Sequence, residues 1–308
     1  MNKKTVAALG ACTLVLGTAV YLNTFTSLIS GRKPHFTEVK RRRITPEFQS
    51  ALDASKRIKD IPMRIVSITN RTGLKLYGHW YPADNPTCTA ILVHGWHGAW
   101  HYDFSTIAPF LHDAGYNVLI IEQRCHNNSD GKLISYGILE RFDVEEWVKF
   151  TVENLSDLPL FLYGMSMGAT TVLMASALPS CSLVRGIISD CGFTSPKEII
   201  SNTIKSRVGY DLPATVAAVG RYCKMQAKFS YSDYSAIDAL KQNRNIPVMF
   251  IHGDADTFVP CEMTYRNYLA CQAPKELFIV RGAEHGLSCV VQPELYRQKV
   301  LAFIDRYK

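Results

Sequence analysis

At 308 residues, 47% of them hydrophobic, the chain can bury the core of one sizeable domain without disulfides or a structural metal. Its net charge of +7 is confined to residues 1–43, which hold eight Lys or Arg (Lys3, Lys4, Arg32, Lys33, Lys40, Arg41, Arg42, Arg43) against one acid, Glu38. The balanced remainder excludes a basic nucleic-acid footprint on the folded part, and the nine cysteines contain no C-x-x-C pair.

From Thr5 to Ile29 no residue is charged. A helix needs about 20 residues to cross a bilayer core, so this run predicts a single-pass transmembrane anchor over residues 1–30. A cleaved signal peptide competes with it, but no small-x-small site closes the run. Leu9-Gly10-Ala11-Cys12 resembles a lipoprotein box, yet the apolar stretch before it is short and continues past Cys12. Six basic residues follow the run and two precede it, which directs the C-terminal side to the cytoplasm by the positive-inside tendency. The odd cysteine number agrees with a reducing compartment. The membrane is therefore one expected partner, through the N-terminal helix and the juxtamembrane basic residues, which suit anionic headgroups.

Residues 31–60 read as a basic linker and a polar helix, and residues 61–308 as the catalytic domain. Strands are expected at 63–69 and 74–81, with Asn70-Arg71-Thr72-Gly73 as the hairpin turn between them. Apolar runs at 90–93, 116–121, 159–163, 183–189, 246–251 and 275–280 have the pattern of buried parallel strands. Helical periodicity falls between them, at 102–114, 137–154, 167–178, 260–272 and 293–307. The alternation predicts a mostly parallel, doubly wound α/β sheet of eight strands. It is interrupted after the sixth strand, where about 193–245 is too long for one crossover and reads as a helical lid. Residues 196–230 carry six Lys or Arg against two acids, and Leu212, Val216, Val219, Tyr222, Met225 and Phe229 supply apolar surface.

The chemistry is concentrated in Gly164-Met165-Ser166-Met167-Gly168, a G-x-S-x-G motif between an expected strand and an expected helix. That context makes Ser166 a nucleophile on a tight turn. A serine hydroxyl needs a base and a group to orient the base. His285, in Gly282-Ala283-Glu284-His285-Gly286 after the last strand, has the position of the base. Asp256, in His252-Gly253-Asp254-Ala255-Asp256 after the preceding strand, has that of the acid. Asp254 is its rival, although capping a turn is the more usual role just after His-Gly. An oxyanion would be held by the N–H of Met167 and an N–H from the loop His94-Gly95-Trp96-His97-Gly98, with Trp96 as the candidate. His94, His97 and His101 also raise a metal reading. On a glycine-broken loop their rings are not aligned, so neither metal nor cofactor is expected. Cys125 and Cys191, at strand ends near the presumed site, are candidate reactive thiols.

Taken together, Leu92-Val93-His94-Gly95-Trp96, the serine motif, Ser189-Asp190-Cys191, the run from Phe250 to Pro260 and Gly282–Gly286 resemble an α/β-hydrolase of the serine-aminopeptidase-like group. Within it, the chain most resembles bacterial membrane-anchored hydrolases of uncharacterised function. The resemblance covers about residues 60–308. It implies the fold and the Ser-His-Asp triad but not the substrate. One segment departs from the family pattern: Glu122 stands for an Asp and Asn127 for a Gly after the fourth strand. Asn tolerates positive φ, so the turn is expected to survive. The expected activity is hydrolysis of a carboxylic ester or thioester, with a small-molecule, hydrophobic or lipid-like acyl substrate. A peptidase or amidase, and a non-catalytic binding protein on the same fold, are the alternatives.

Overall fold

The computed structural model describes Ile29, Ser30, Gln49, residues 57–210 and residues 213–308. Eight strands form one sheet: β1 (Arg64–Thr69), β2 (Lys75–Tyr81), β3 (Cys88–Val93), β4 (Tyr116–Ile121), β5 (Leu160–Met165), β6 (Val184–Asp190), β7 (Val248–Gly253) and β8 (Lys275–Val280). Their spatial order is β1-β2-β4-β3-β5-β6-β7-β8. β2 is antiparallel to both β1 and β4, and the remaining pairs are parallel. The β1–β2 hairpin closes as expected. Asn70 Oδ1 accepts from the backbone N–H of Thr72 (3.0 Å) and Leu74 (2.9 Å), and Gly73 takes φ 82°.

Between and after the strands of the described chain lie ten α-helices, α1 (Trp100–Asp103), α2 (Ile107–Asp113), α3 (Glu140–Asn154), α4 (Met167–Ala175), α5 (Pro196–Val208), α6 (Pro213–Ala227), α7 (Ala236–Gln242), α8 (Cys261–Ala270), α9 (Ser288–Val291) and α10 (Pro293–Tyr307), and one short 3-10 helix at Pro179–Leu183. Side chains alternate across each strand, so β3 sends Ala90 and Leu92 to one core and Ile91 and Val93 to the other. The first core includes Phe104, Ile107, Tyr163, Val300 and Phe303; the second includes Trp147, Val172, Leu173, Leu240 and Phe250. Helices thus cover both faces, which is why β3, β4, β5 and β7 are buried at every position.

The expected 102–114 helix is two pieces, α1 and α2. Pro109 lacks an N–H and would press on the Ser105 carbonyl in a continuous helix, so the chain restarts at Ile107. The long segment after β6 forms α5, α6 and α7. The first two build a third apolar cluster, in which Ile199, Ile200, Ile204, Val216 and Val219 meet Met167, Phe193 and Val259 above the ends of β5, β6 and β7. The last, α7, instead packs Ala236 and Leu240 into the core of the second face. Leu212 lies outside the described residues, and Tyr222 and Met225 point outward.

The expected membrane anchor is corrected. Among the described residues no helix is long and apolar enough to cross a membrane. Of the apolar run, only its last residue, Ile29, is described, and it is packed against the folded domain. It is 2% exposed within the third cluster, and its carbonyl accepts from Ile134 N–H at 2.8 Å. Ser30 bridges to Leu133. The rest of the run, the basic residues 32–43 and most of the 31–60 helix lie outside the described residues. The membrane is therefore withdrawn as partner and location.

Candidate active site

Ser166 stands between β5 and α4 with φ 55° and ψ −116°. A non-glycine residue adopts such a backbone only where its surroundings impose it. The imposing contacts come from the two glycines. A Cβ on Gly164 would lie 2.3 Å from the Gly168 carbonyl oxygen, and one on Gly168 would lie 1.8 Å from that of Val93. Ser166 N–H donates to the Asp190 carbonyl (2.8 Å), which ties the turn to β6.

His285 is carried between Gly282 (φ 76°) and Gly286 (φ 72°) in the loop after β8. Its Nε2 lies 2.9 Å from Ser166 Oγ and its Nδ1 2.6 Å from Asp256 Oδ2. A carboxylate can only accept, so the Nδ1–H donates to Asp256 and Nε2 is left to accept from the serine hydroxyl. Asp256 is fixed in turn, because its Oδ1 accepts from Phe258 N–H and Val259 N–H, both at 2.9 Å. Burial pushes the Asp256 carboxyl up, but hydrogen bonds from His252 and His285 outweigh it and hold the group well below the usual carboxylate range. Asp254, the rival acid, is exposed and accepts from Gly282 N–H (2.6 Å), tying the β7 loop to the β8 loop.

Met167 is the first residue of α4, so its N–H belongs to the set that finds no acceptor within the helix. Trp96 lies on the opposite loop. That loop is shaped by Gly95 N–H donating to Asp103 Oδ2 (2.7 Å) and by His97, at φ 51°, donating its N–H to His126 Nε2 (3.1 Å). Trp96, Tyr136, Phe193, Ile199, Thr203, Phe258 and Val259 line a narrow pocket that reaches Ser166, with room for roughly one water molecule. Its walls are aromatic: the Trp96 ring lies 25° from the plane of Tyr136 and 19° from that of Phe258.

The three histidines of the metal reading do not converge. The His94 Nδ1–H donates to Gly95 O (2.8 Å) while its Nε2 accepts from Gln123 N–H (3.1 Å); His97 packs on Trp96 and His101 on Trp100. Among the described residues, one group has ligand atoms close enough to share an ion: Cys191, Asp256 and His285. Two of its members already bind each other. The candidate thiols are poorly placed to react. Burial pushes the Cys125 thiol up to about 12 and the Cys191 thiol well above its ordinary value.

The departing segment keeps its turn. Asn127 takes φ 49°, and buried Glu122 accepts from His79 Nε2–H (2.7 Å) and Asn128 N–H (2.7 Å). Two side chains in the site had no role from sequence. Asp103 had no signal, since its partner Gly95 is fixed only by the fold. His252 had one: it closes the strand whose following loop carries Asp256, four residues on, and it reaches Asp256 Oδ2 at 3.1 Å.

A family profile, alpha/beta hydrolase fold, matches residues 91–215. The chain is 29% identical over 230 residues to the uncharacterised protein YqkD of Bacillus subtilis, covering 74% of each sequence. It is 26% identical over 249 residues to the uncharacterised protein YfhR of Escherichia coli K12, covering 78% of this chain and 79% of that one. Among solved structures it resembles the Pyrococcus furiosus esterase Pf2001, with a TM-score of 0.67 and 23% identity over 82% of this chain and 93% of that one. It also resembles Est1E of Butyrivibrio proteoclasticus with ferulic acid bound, with a TM-score of 0.62 and 17% identity over 79% and 98%.

Proposed function

We propose, taking the α/β-hydrolase fold of this chain as the premise, that it is a serine hydrolase of carboxylic esters or thioesters. The observation that carries the reading is the unbroken hydrogen-bond chain Ser166 Oγ–His285–Asp256, at 2.9 and 2.6 Å. Ser166 Oγ attacks the acyl carbonyl as His285 Nε2 takes its proton. Asp256 holds the ring in the tautomer that can accept and stabilises the imidazolium. In this scheme the developing oxyanion is received by the N–H groups of Met167 and Trp96. His285 then protonates the leaving group, and the acyl-enzyme is opened by a water that the same nitrogen deprotonates. No cofactor enters the scheme.

The apolar, aromatic pocket favours an uncharged acyl group. As it stands, its narrowness favours a short one. A longer acyl chain requires α5, which supplies Ile199 and Thr203, to move, and in this reading α5 and α6 are the lid. The peptidase alternative is less well supported, because none of the lining residues is a carboxylate that could pair with a substrate amine.

The test compares the full chain with Ser166→Ala on p-nitrophenyl esters from acetate to palmitate. Hydrolysis lost in the variant and greatest on short acyl groups is the expected result. Turnover that survives Ser166→Ala would end the reading.

A further inference from the structure

Asp256 Oδ2 is shared by two imidazoles. His285 Nδ1 lies 2.6 Å from it and His252 Nε2 lies 3.1 Å from it, and both His252 and Asp256 side chains are fully buried. His252 is fixed from three sides. Its backbone belongs to β7, its Nε2 is also 2.9 Å from the Val259 carbonyl, and its Nδ1 is 2.6 Å from Thr264 Oγ1 on α8. Both neighbours of Nε2 are acceptors only, so this nitrogen carries the proton and donates to the pair of oxygens.

We propose that His252 is a positioning residue for the proposed reaction: a second imidazole that locks Asp256 and draws off part of the charge on the oxygen that His285 uses. This rests on the reading of Ser166, His285 and Asp256 given above. The backbone donors Phe258 and Val259 serve Oδ1 alone, so without His252 the Oδ2 atom would have His285 as its one donor and the carboxylate could turn about Oδ1. The electrostatic consequence has a definite sign. A second donor on Oδ2 weakens the hold of Asp256 on a protonated His285, so removing it favours the imidazolium and leaves less free base at low pH.

The other titratable groups around Asp256 and the two imidazoles are Asp103 at the end of α1, which faces His285 and whose carboxyl burial raises, Asp190 and Cys191 at the end of β6, and Cys261 at the start of α8. Burial holds the thiols of Cys191 and Cys261 above their ordinary value, so they stay neutral across the neutral range. Burial brings the Asp190 carboxyl up to about 7, inside that range, and His252 opposes the rise, so wild type and variants are compared in an Asp190→Asn background, where this group does not titrate.

The experiment uses the full chain as wild type, His252→Leu and His252→Gln. The amide of Gln can place a donor near Oδ2, and Leu cannot. Two quantities are read: kcat and KM for p-nitrophenyl acetate against pH, and the low-field proton resonance of the His285–Asp256 hydrogen bond. The expected result for His252→Leu is a kcat about tenfold lower at unchanged KM, an acid limb moved up by about half a pH unit, and a displaced resonance. His252→Gln restores all three. If the Leu variant does not fold, His252→Asn, too short to reach Oδ2, takes its place. An acid limb and a resonance that stay where they are, whatever happens to thermal stability, would overturn the proposal. The resonance is read without substrate, so the role of His252 is decided even if the wild type lacks Ser166-dependent turnover, an outcome that counts only against the ester-hydrolase reading.

Discussion

Gly168 rests directly on the carbonyl of Val93: a Cβ at Gly168 would sit 1.8 Å from that oxygen and 2.6 Å from the next carbonyl oxygen, that of His94. This contact brings the first turn of α4 against the end of β3, and so brings the Trp96 loop beside Ser166. Neither partner is a side chain, so nothing can rotate away. Gly168→Ala is expected to cost about 3 kcal/mol or more, at the upper end of overpacking penalties. Thermal unfolding measures it, and a variant as stable as the wild type would mean that the strand and helix are not in this contact.

The backbone of Ser166 is strained in a way that its side chain cannot relieve. At φ 55° and ψ −116° an alanine suffers as the serine does, whereas glycine does not. Ser166→Gly is therefore expected to be more stable than Ser166→Ala by about 1 kcal/mol, despite the greater freedom of glycine in the unfolded chain. Urea denaturation of the two variants gives the difference. Equal midpoints would show a relaxed turn.

The two aspartates of the β7 loop have different partners, and the proposed reaction uses only Asp256. Asp256→Asn should lower kcat by about ten-thousandfold, because the amide cannot hold His285 in its accepting tautomer. Asp254→Ala removes the acceptor of Gly282 N–H, a loop tie worth about 1 kcal/mol, and should leave kcat within about tenfold of wild type. Steady-state kinetics with thermal midpoints separates them. The reverse ranking would transfer the acid role to Asp254.

Asp190 gives stability a pH dependence of defined sign. Its carboxyl is buried at the end of β6, where Tyr296 donates its hydroxyl to Oδ2 (2.7 Å). Burial raises it to about 7, with His252 opposing and Asp256 adding to the effect. In the unfolded chain an aspartate titrates near 4. Below that value both states are protonated and there is no penalty. Between the two values the folded state keeps a proton that the unfolded state has released, so stability falls as pH rises, by roughly 4 kcal/mol in all. Asp190→Asn, which still accepts from Tyr296, should therefore match the wild type near pH 4 and exceed it progressively up to pH 7 and above. Denaturation midpoints at acid, neutral and alkaline pH test this, and a gain independent of pH would argue for a packing effect instead.

Local chemistry carried much of this in the sequence. Uninterrupted apolar runs such as 90–93 announce strands covered on both faces, and the glycines of G-x-S-x-G announce a turn that no side chain can occupy at its flanks. Asn70 and Gly73 specify their hairpin because the interactions involved span only a few residues. The same locality explains the failures. Pro109 splits a helix whose apolar periodicity runs straight through it. The apolar run before Ile29 has the composition of a membrane span, yet its described end is held by Ile134, far along the chain.

Tertiary structure decided what depends on distance between residues remote in sequence. Ser166 and His285 are 119 positions apart, and only the parallel order of β5 to β8 brings their loops to one edge of the sheet. Asp254 and Asp256 stand two residues apart on one loop, and only the folded loop shows that the first faces Gly282 and the second His285. Composition marked the 193–245 segment as apolar and basic, but only packing showed α5 over the serine and α7 in the core of the second face. Periodicity and motif chemistry are written into neighbouring residues; a pocket's width and a carboxylate's second partner belong to no segment of the chain and exist only once the sheet has assembled.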